Sequence, residues 1–293
     1  GIVLEPPDTN QTPYSSQDLL EIINDLQQFR YDVTGEQTIY VEADDRMVAP
    51  EYVPLFMSAK LTDDQLPMTR VVENGGALPS QLALGASWEP ENAYETGMVV
   101  GRQLSALGIN MVFSPALDVL DDPGTSLQNG IGVRSFGGDP YWVGVMGEEY
   151  ISGLHDGSDW RVNVVSTHFP GLGSSDRPME EEIATIRKSL EQLKQIELAP
   201  FFSVTDGTLE ESSVTDGLLT GHIRYQGFQG NIRATTKPVS LDSTALSQIL
   251  ALEPFDQWLQ SGGLVISDSL GYQSIKRFIE STGRGYTGYL VAR

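Results

Sequence analysis

The first candidate for a reactive side chain is Asp268, near the end of the chain, which follows a short apolar run at residues 264–266. Glycines precede the run, and its length and β-branched content are typical of a buried parallel strand. Functional groups in parallel sheets lie at the carboxyl ends of strands, so Asp268 is a candidate reactive group. Asp is also a preferred N-cap residue, and this position equally suits capping of the helix that follows. On this stretch alone both interpretations remain open.

Four more polar or charged side chains lie at the ends of predicted strands or in the loops that follow them. They are Asp118 after the strand at residues 109–115, Arg134 in the loop at residues 118–140, His168 at the end of the strand at residues 162–168, and His222 in the strand at residues 217–223. Taken singly, Arg134 fits a loop salt bridge and His168 fits a satisfied, partly buried histidine. Several such residues at one sheet edge instead indicate a binding or catalytic site.

The elements between these residues must hold them in place. Strand-type apolar runs alternate with helical patterns, including a helix predicted at residues 180–197 with apolar residues on one face. Six principal strands in this alternation predict a parallel sheet with helical crossovers, in one domain covering residues 1–293. A TIM-type (β/α)8 barrel, with its functional loops at the carboxyl edge, fits best. A doubly wound open sheet is the alternative, although no GxGxxG sequence follows the first strand.

The composition excludes several classes of function. The 293 residues include 40 acids and 18 bases, and the formal net charge of −22 argues against nucleic acid and anionic membranes as partners. No run approaches the roughly 20 apolar residues that span a bilayer, so no membrane insertion is expected. The absence of cysteine excludes disulfides and thiol catalysis. Three histidines without HExxH spacing predict no zinc site, and the cellular compartment stays open.

Several segments together resemble the amino-terminal barrel domain of glycoside hydrolase family 3. They are LPSQLALGASW at residues 78–88, LGINMVFSPALD at residues 107–118, VRSFGGDP at residues 133–140, THFPGLG at residues 167–173 and VISDSL at residues 265–270. The resemblance runs from about residue 53 to residue 271 and covers most of the chain. It implies a barrel that acts on a carbohydrate, with no metal or organic cofactor.

The resemblance also implies roles for the candidate residues. The aspartate matching Asp268 is the nucleophile of a retaining mechanism, in which a carboxylate attacks the anomeric carbon and forms a covalent glycosyl-enzyme. A second group protonates the leaving oxygen and later activates water. Arg134 and His168 match groups that hydrogen-bond sugar hydroxyls. Asp118 and His222 complete the predicted substrate-binding set.

Two strand ends depart from the family pattern. Thr167 stands where the family usually has a lysine, so a charged donor to the sugar is lost. Lys60 stands where the family often has an aspartate that holds sugar hydroxyls. At that position a carboxylate acceptor is replaced by a cation, which inverts its role.

The acid/base residue is the least determined part of the predicted site. In the N-acetylglucosaminidase branch of the family an Asp-Ser-His segment supplies it, and the matching end positions here hold Pro178 and Glu180. Glu180 is one candidate, and Asp176 on the same loop is another. Alternatively, the acids at residues 180–182 form the first turn of the predicted helix, where its dipole and the nearby Pro178 favour them.

Two functional hypotheses follow. The first is a retaining exo-β-glycosidase that hydrolyses β-linked hexose or N-acetylhexosamine residues. The second is a catalytically degenerate barrel that serves as a structural or carbohydrate-binding subunit of an assembly, motivated by Thr167, Lys60 and the lost Asp-Ser-His segment. The family barrel also has one strand before and one after those visible here, so missing residues or a partner chain are expected to complete it.

Overall fold

Six parallel strands form the main sheet of the computed structural model. The structure describes residues 2–4, 14–42, 45–61, 78–121, 130–208, 210–283 and 285–286. In spatial order the strands are β1 (Ile2–Leu4), β4 (Met57–Lys60), β5 (Met111–Ala116), β6 (Asn163–Phe169), β8 (Gly217–Thr220) and β10 (Leu264–Ser267). The prediction of six principal strands in a parallel, barrel-type sheet is confirmed, and within the described residues the sheet is open between β1 and β10.

Two small sheets, nine α-helices and three 3-10 helices make up the rest of the described elements. The strands β2 (Ile39–Val41) and β3 (Arg46–Val48) pair antiparallel, and β7 (Ala184–Ile186) and β9 (Ile223–Tyr225) pair parallel. The helices are α1 (Ser16–Glu36), α2 (Gln81–Ser87), α3 (Pro90–Ala106), α4 (Pro140–Ser158), α5 (Leu190–Gln195), α6 (Ala199–Ser203), α7 (Ser243–Leu250), α8 (Phe255–Gln260) and α9 (Gln273–Ser281). Among them no helix has the length and apolar character needed to cross a membrane.

The main sheet has apolar side chains on both faces, as expected of a parallel sheet covered by helices. Alternate residues point to opposite sides of a strand. Val112, Val164 and Leu218 belong to the large core shared with the helices. Their neighbours Phe113, Val165 and Leu219 form a separate inner cluster within the curve of the sheet. The inner cluster supports the carboxyl edge, where the polar residues lie.

Glycines allow α3 and α4 to pack with their backbones nearly in contact. A Cβ atom at Gly153 would lie 2.1 Å from the Tyr94 carbonyl oxygen, and one at Gly97 would lie 2.3 Å from that of Tyr150. Neither position accommodates a larger residue without separating the helices. The seam fixes α4, whose first turn follows the Arg134 segment, against the outside of the sheet.

The prediction of a helix at residues 180–197 is wrong. This segment forms a turn near Glu180, the short strand β7 and then α5. Ala184 and Ile186 are buried while β7 pairs with β9, so tertiary pairing overrides the helical spacing of the apolar residues. Ser189 starts α5 by accepting a hydrogen bond from the Gln192 amide in a reciprocal capping box. The predicted strand at residues 217–223 is likewise divided, because it ends at Thr220 and β9 begins at Ile223.

Candidate active site

Two charged side chains meet inside the curve of the sheet at its carboxyl edge. Lys60 ends β4 and Asp268 follows β10. Ala59 packs into the outer core and Ile266 against the inner cluster, and the alternation of a strand therefore turns both Lys60 and Asp268 inward. The Lys60 Nζ atom lies 3.1 Å and 3.2 Å from the two Asp268 carboxylate oxygens. Four strand spacings in a flat sheet would span about 19 Å, so this contact requires the sheet to curl.

Asp268 is a buried carboxylate held by several donors. Its side chain is 5% exposed, and its Oδ1 atom also accepts hydrogen bonds from the Ser269 amide at 2.7 Å and the Tyr272 hydroxyl at 3.2 Å. Burial acts to raise its pKa, but Lys60, His168 and the Ser269 N–H together outweigh burial and hold the pKa below its ordinary value. Asp268 is therefore ionised at neutral pH. The N-cap of α9 is Tyr272, so Asp268 does not cap that helix.

Lys60 and Tyr272 form the other half of this arrangement. The ammonium group donates to the Tyr272 hydroxyl at 2.6 Å and lies 5.3 Å from the centre of its ring. With both Asp268 oxygens included, the ammonium has an acceptor for each of its three N–H groups. Its side chain is only 13% exposed. The sequence analysis did not identify Tyr272, although its position four residues after Asp268 on the same loop was a usable signal.

His168 and Asp118 form a second buried pair at the same edge. The His168 Nδ1 atom lies 2.7 Å from Asp118 Oδ2, and Asp118 Oδ1 accepts the Leu172 amide at 2.6 Å. Asp118 is fully buried and His168 nearly so. The carboxylate thus fixes the imidazole ring with Nδ1–H as donor and leaves Nε2 for a ligand. Asp118 acts on the site through His168, while the predicted direct contact between Asp118 and substrate stays a prediction.

His222 lies edge-on to Tyr272, with 5.9 Å between the ring centres, and is bound by the protein at both ring nitrogens. Its Nε2 atom lies 3.0 Å from the Ser269 carbonyl oxygen and its Nδ1 atom 2.8 Å from Ser240 Oγ. The carbonyl can only accept, so Nε2 carries the proton and Nδ1 accepts from the hydroxyl. Burial lowers the pKa of His222 and favours this neutral form. Its observed contacts position the Asp268–Ser269 backbone.

Arg134 is held by its own loop at the end of β5. It ends the 3-10 helix Gly132–Arg134, and its Nε atom donates to the Ile131 carbonyl at 3.0 Å while Nη2 donates to the Gly130 carbonyl. Ser135 forms a bridge with Ala116 at the end of β5. The guanidinium lines a small cavity with Leu61 and Tyr150, next to the carboxyl end of β4.

The two acid/base candidates occupy different environments. Glu180 is partly buried in a turn, and its backbone carbonyl accepts a hydrogen bond from the Ser274 amide at the start of α9. The charge of its carboxylate acts to raise the pKa of His222. Asp176 is 49% exposed and forms a two-point ion pair with Arg177 at 2.9 Å. The hydrogen bond from Arg177 lowers the pKa of Asp176 and keeps it ionised, which is unsuited to a proton donor. Asp176 is thus the weaker of the two candidates, and the acid/base role of Glu180 stays a prediction.

The loop that carries these candidates is fixed from behind by an ionic cluster. Lys188 donates to Ser174 Oγ at 2.6 Å, to Asp121 Oδ2 at 2.7 Å and to Glu197 Oε1. Glu197 is fully buried, and burial raises its pKa even though Lys188 opposes the shift. A Cβ atom at Gly171 would lie 2.6 Å from that of Glu197, so only glycine fits there. Sequence reasoning did not identify this cluster.

Thr167 adjoins the site without a charged donor. Its side chain is buried, and within the described part of the chain its Oγ1 atom has no hydrogen-bond partner. The hydroxyl can still accept or donate one hydrogen bond. The described residues contain no cluster of three side chains that would hold a metal ion.

Fold and site together define a TIM-type barrel with an ionised carboxylate and a fixed imidazole at its carboxyl edge, the edge that carries the functional site in proteins of this fold. The family model described as the Glycosyl hydrolase family 3 N terminal domain matches residues 11–284. The chain belongs to this family, and the resemblance noted in the sequence is confirmed.

The chain is similar to the following proteins and to one solved structure. A beta-hexosaminidase from Idiomarina loihiensis is 28% identical over 211 residues, which are 70% of this chain and 55% of that protein. A beta-N-acetylglucosaminidase/beta-glucosidase from Cellulomonas fimi is 27% identical over 74% of this chain and 36% of its own length. The structure of a family 3 beta-N-acetylglucosaminidase from Paenibacillus sp. superposes with a TM-score of 0.70 at 28% identity, covering 90% of this chain and 43% of that one. The chain thus spans about half the length, or less, of these relatives.

Proposed function

We propose that the chain is the catalytic barrel of a retaining exo-β-glycosidase that releases β-linked hexose or N-acetylhexosamine residues. The observation that carries the proposal is the buried, ionised Asp268 carboxylate, which faces the inside of the sheet at the edge where barrel enzymes bind substrate. The names of the similar proteins, beta-hexosaminidase and beta-N-acetylglucosaminidase/beta-glucosidase, support the same class of reaction. We assign residues 1–293 to one barrel domain, and we propose that the sheet edges left open among the described residues, at β1 and β10, are covered by other residues or by a partner chain.

The proposed mechanism has two steps. In the first, an Asp268 oxygen attacks the anomeric carbon and displaces the leaving oxygen, which takes a proton from Glu180. In the second, Glu180 removes a proton from water, and the water oxygen displaces Asp268 with overall retention of configuration. His168, oriented by Asp118, and Arg134 bind the sugar hydroxyls and hold the ring for in-line attack.

The covalent intermediate gives a direct test. The protein is incubated with 2-fluoro and 5-fluoro glycosyl fluorides derived from neutral, acetamido and acidic sugars. It is then analysed by intact-mass and peptide mass spectrometry. We expect one adduct on the peptide containing Asp268, and none in Asp268→Asn. The absence of an adduct with every sugar in the panel would overturn the proposal.

A second candidate function is a carbohydrate-binding barrel without catalysis, favoured by the Lys60–Asp268 ion pair. The ammonium group contacts both oxygens of the proposed nucleophile, and Thr167 supplies no charged donor to a sugar. Binding of oligosaccharides measured by titration calorimetry, together with an empty adduct panel, would favour this candidate. An Asp268 adduct would exclude it.

A further inference from the structure

We propose that Lys60 makes the barrel selective for sugars with a carboxylate on the reacting ring, that is, β-linked hexuronic acids. The inference rests on the proposed glycosidase function and names its substrate class. Its starting point is a largely buried ammonium group 3.1 Å from the Asp268 carboxylate, which is the proposed nucleophile.

In the unliganded site the nucleophile is neutralised by this contact. Lys60 contacts both carboxylate oxygens, and Tyr272 and the Ser269 amide add further hydrogen bonds to Oδ1. Among the described contacts Oδ2 accepts a hydrogen bond only from Lys60, and this contact lowers its nucleophilicity. We therefore expect the substrate to draw Lys60 away from Asp268 before bond formation.

Neutral and acidic sugars differ in what they offer the displaced ammonium. A neutral sugar leaves Lys60, which is largely buried, without a counter-ion, and burial of an unpaired charge is strongly unfavourable. A substrate carboxylate provides a new counter-ion at the usual distance of about 2.8 Å for a charge-assisted hydrogen bond. The ion pair is then exchanged, and Asp268 becomes free to react.

The same geometry restricts where the carboxylate can be. Its oxygen must lie next to Nζ while the anomeric carbon lies about 3–3.5 Å from the neighbouring Asp268 oxygen. Because Nζ and the Asp268 oxygen are adjacent, the substrate carboxylate and the anomeric carbon must belong to the same sugar residue. A charge on the leaving group would lie on the far side of the anomeric carbon, so the inference specifies a uronic acid in the reacting position.

Tyr272 supports the exchange because its hydroxyl contacts both charged groups. It accepts from Lys60 at 2.6 Å and donates to Asp268 at 3.2 Å. After Lys60 turns to the substrate, the phenol still holds Asp268 in place. Among the described acids, Glu180 acts electrostatically on the neighbouring His222, and it enters the first step as the proton donor.

The test compares 4-nitrophenyl β-D-glucuronide with the corresponding β-D-glucoside and N-acetyl-β-D-glucosaminide. The wild-type protein should show a kcat/KM at least tenfold higher for the glucuronide. Lys60→Gln should lower that value by at least a hundredfold, and Lys60→Arg should restore most of the preference. Lys276→Gln, which removes a charge from the exposed face of α9, is the matched control and should not change the ratio.

A measurement on the wild-type protein keeps the inference testable if Lys60→Gln does not fold. Glucuronic acid should inhibit at least tenfold more strongly than glucose as a product. Hydrolysis of the neutral substrates without a preference for the glucuronide would overturn the inference and leave the glycosidase function intact. Failure to hydrolyse or form an adduct with any sugar, acidic ones included, would overturn the proposed function itself.

Discussion

The Lys60 ammonium lies 3.1 Å from the Asp268 carboxylate, although 208 residues separate them in the chain and four strand spacings separate β4 from β10 in the sheet. The contact joins the proposed nucleophile to a cation, at a position where the resemblance to the family implies an aspartate. It has consequences for stability, for pH dependence and for substrate choice.

The ion pair should make a large contribution to folding stability that depends on both partners. Removing one partner of a buried pair costs about 3–5 kcal/mol because the other charge is left unpaired. We expect Lys60→Met and Asp268→Asn each to lower the free energy of unfolding by an amount in this range, and the double variant to lose less than the sum. Urea unfolding in a double-mutant cycle measures the coupling. The exposed Arg161–Asp159 pair is the control and should show almost none; equal coupling in both cycles would contradict the expectation.

The lowered pKa of Asp268 predicts how stability depends on pH. Its carboxylate is favoured in the folded protein, so its contribution is present above the unfolded pKa of about 3.9 and is lost as the pH falls through the lower folded value. The difference in unfolding free energy between wild type and Asp268→Asn should therefore be largest near neutral pH and shrink in acid. Urea titrations at a series of pH values measure it. A difference that grows on acidification would contradict the assigned direction.

Asp118 should affect catalysis by orienting His168. In Asp118→Asn the Nδ1–H···carboxylate bond is weakened and the ring loses its fixed orientation, and a misplacement of this kind costs about 10²-fold in rate. We expect kcat to fall by that order with a smaller change in KM. Asp159→Asn, at an exposed position, controls for the loss of one carboxylate. An effect confined to KM would indicate direct contact between Asp118 and the substrate.

The contribution of Glu180 to the rate should be larger for leaving groups that need a proton more. General acid catalysis contributes about 10²–10⁴-fold, so Glu180→Gln should lose this factor on aryl glycosides with poor leaving groups and little on activated ones. Asp176→Asn on the same loop is the matched comparison and should affect both substrates alike, because Asp176 is paired with Arg177. An equal loss on both substrates in Glu180→Gln would exclude the acid role.

Local patterns predicted the strands of the site and several of its residues. The six strands of the main sheet and the position of Asp268 after β10 follow from apolar runs bounded by turn residues. Strand ends in a parallel sheet converge whatever the rest of the chain does, which is why Asp118, His168 and Asp268 were predicted to lie at one edge. Local patterns predicted the wrong structure for residues 180–197, because the strand β7 in this segment forms only by pairing with the distant strand β9.

The sequence by itself determined the family, the parallel sheet and the presence of a carboxylate directly after β10. Only the tertiary structure decided that Asp118 binds His168, that His222 is bound at both nitrogens, and that Lys60 and Tyr272 surround Asp268. Periodicity records which face of a strand a side chain occupies, whereas a contact across the curve of the sheet depends on how far the whole sheet bends. That bend results from the packing of all the strands and helices together, and it places the Lys60 cation against the Asp268 carboxylate.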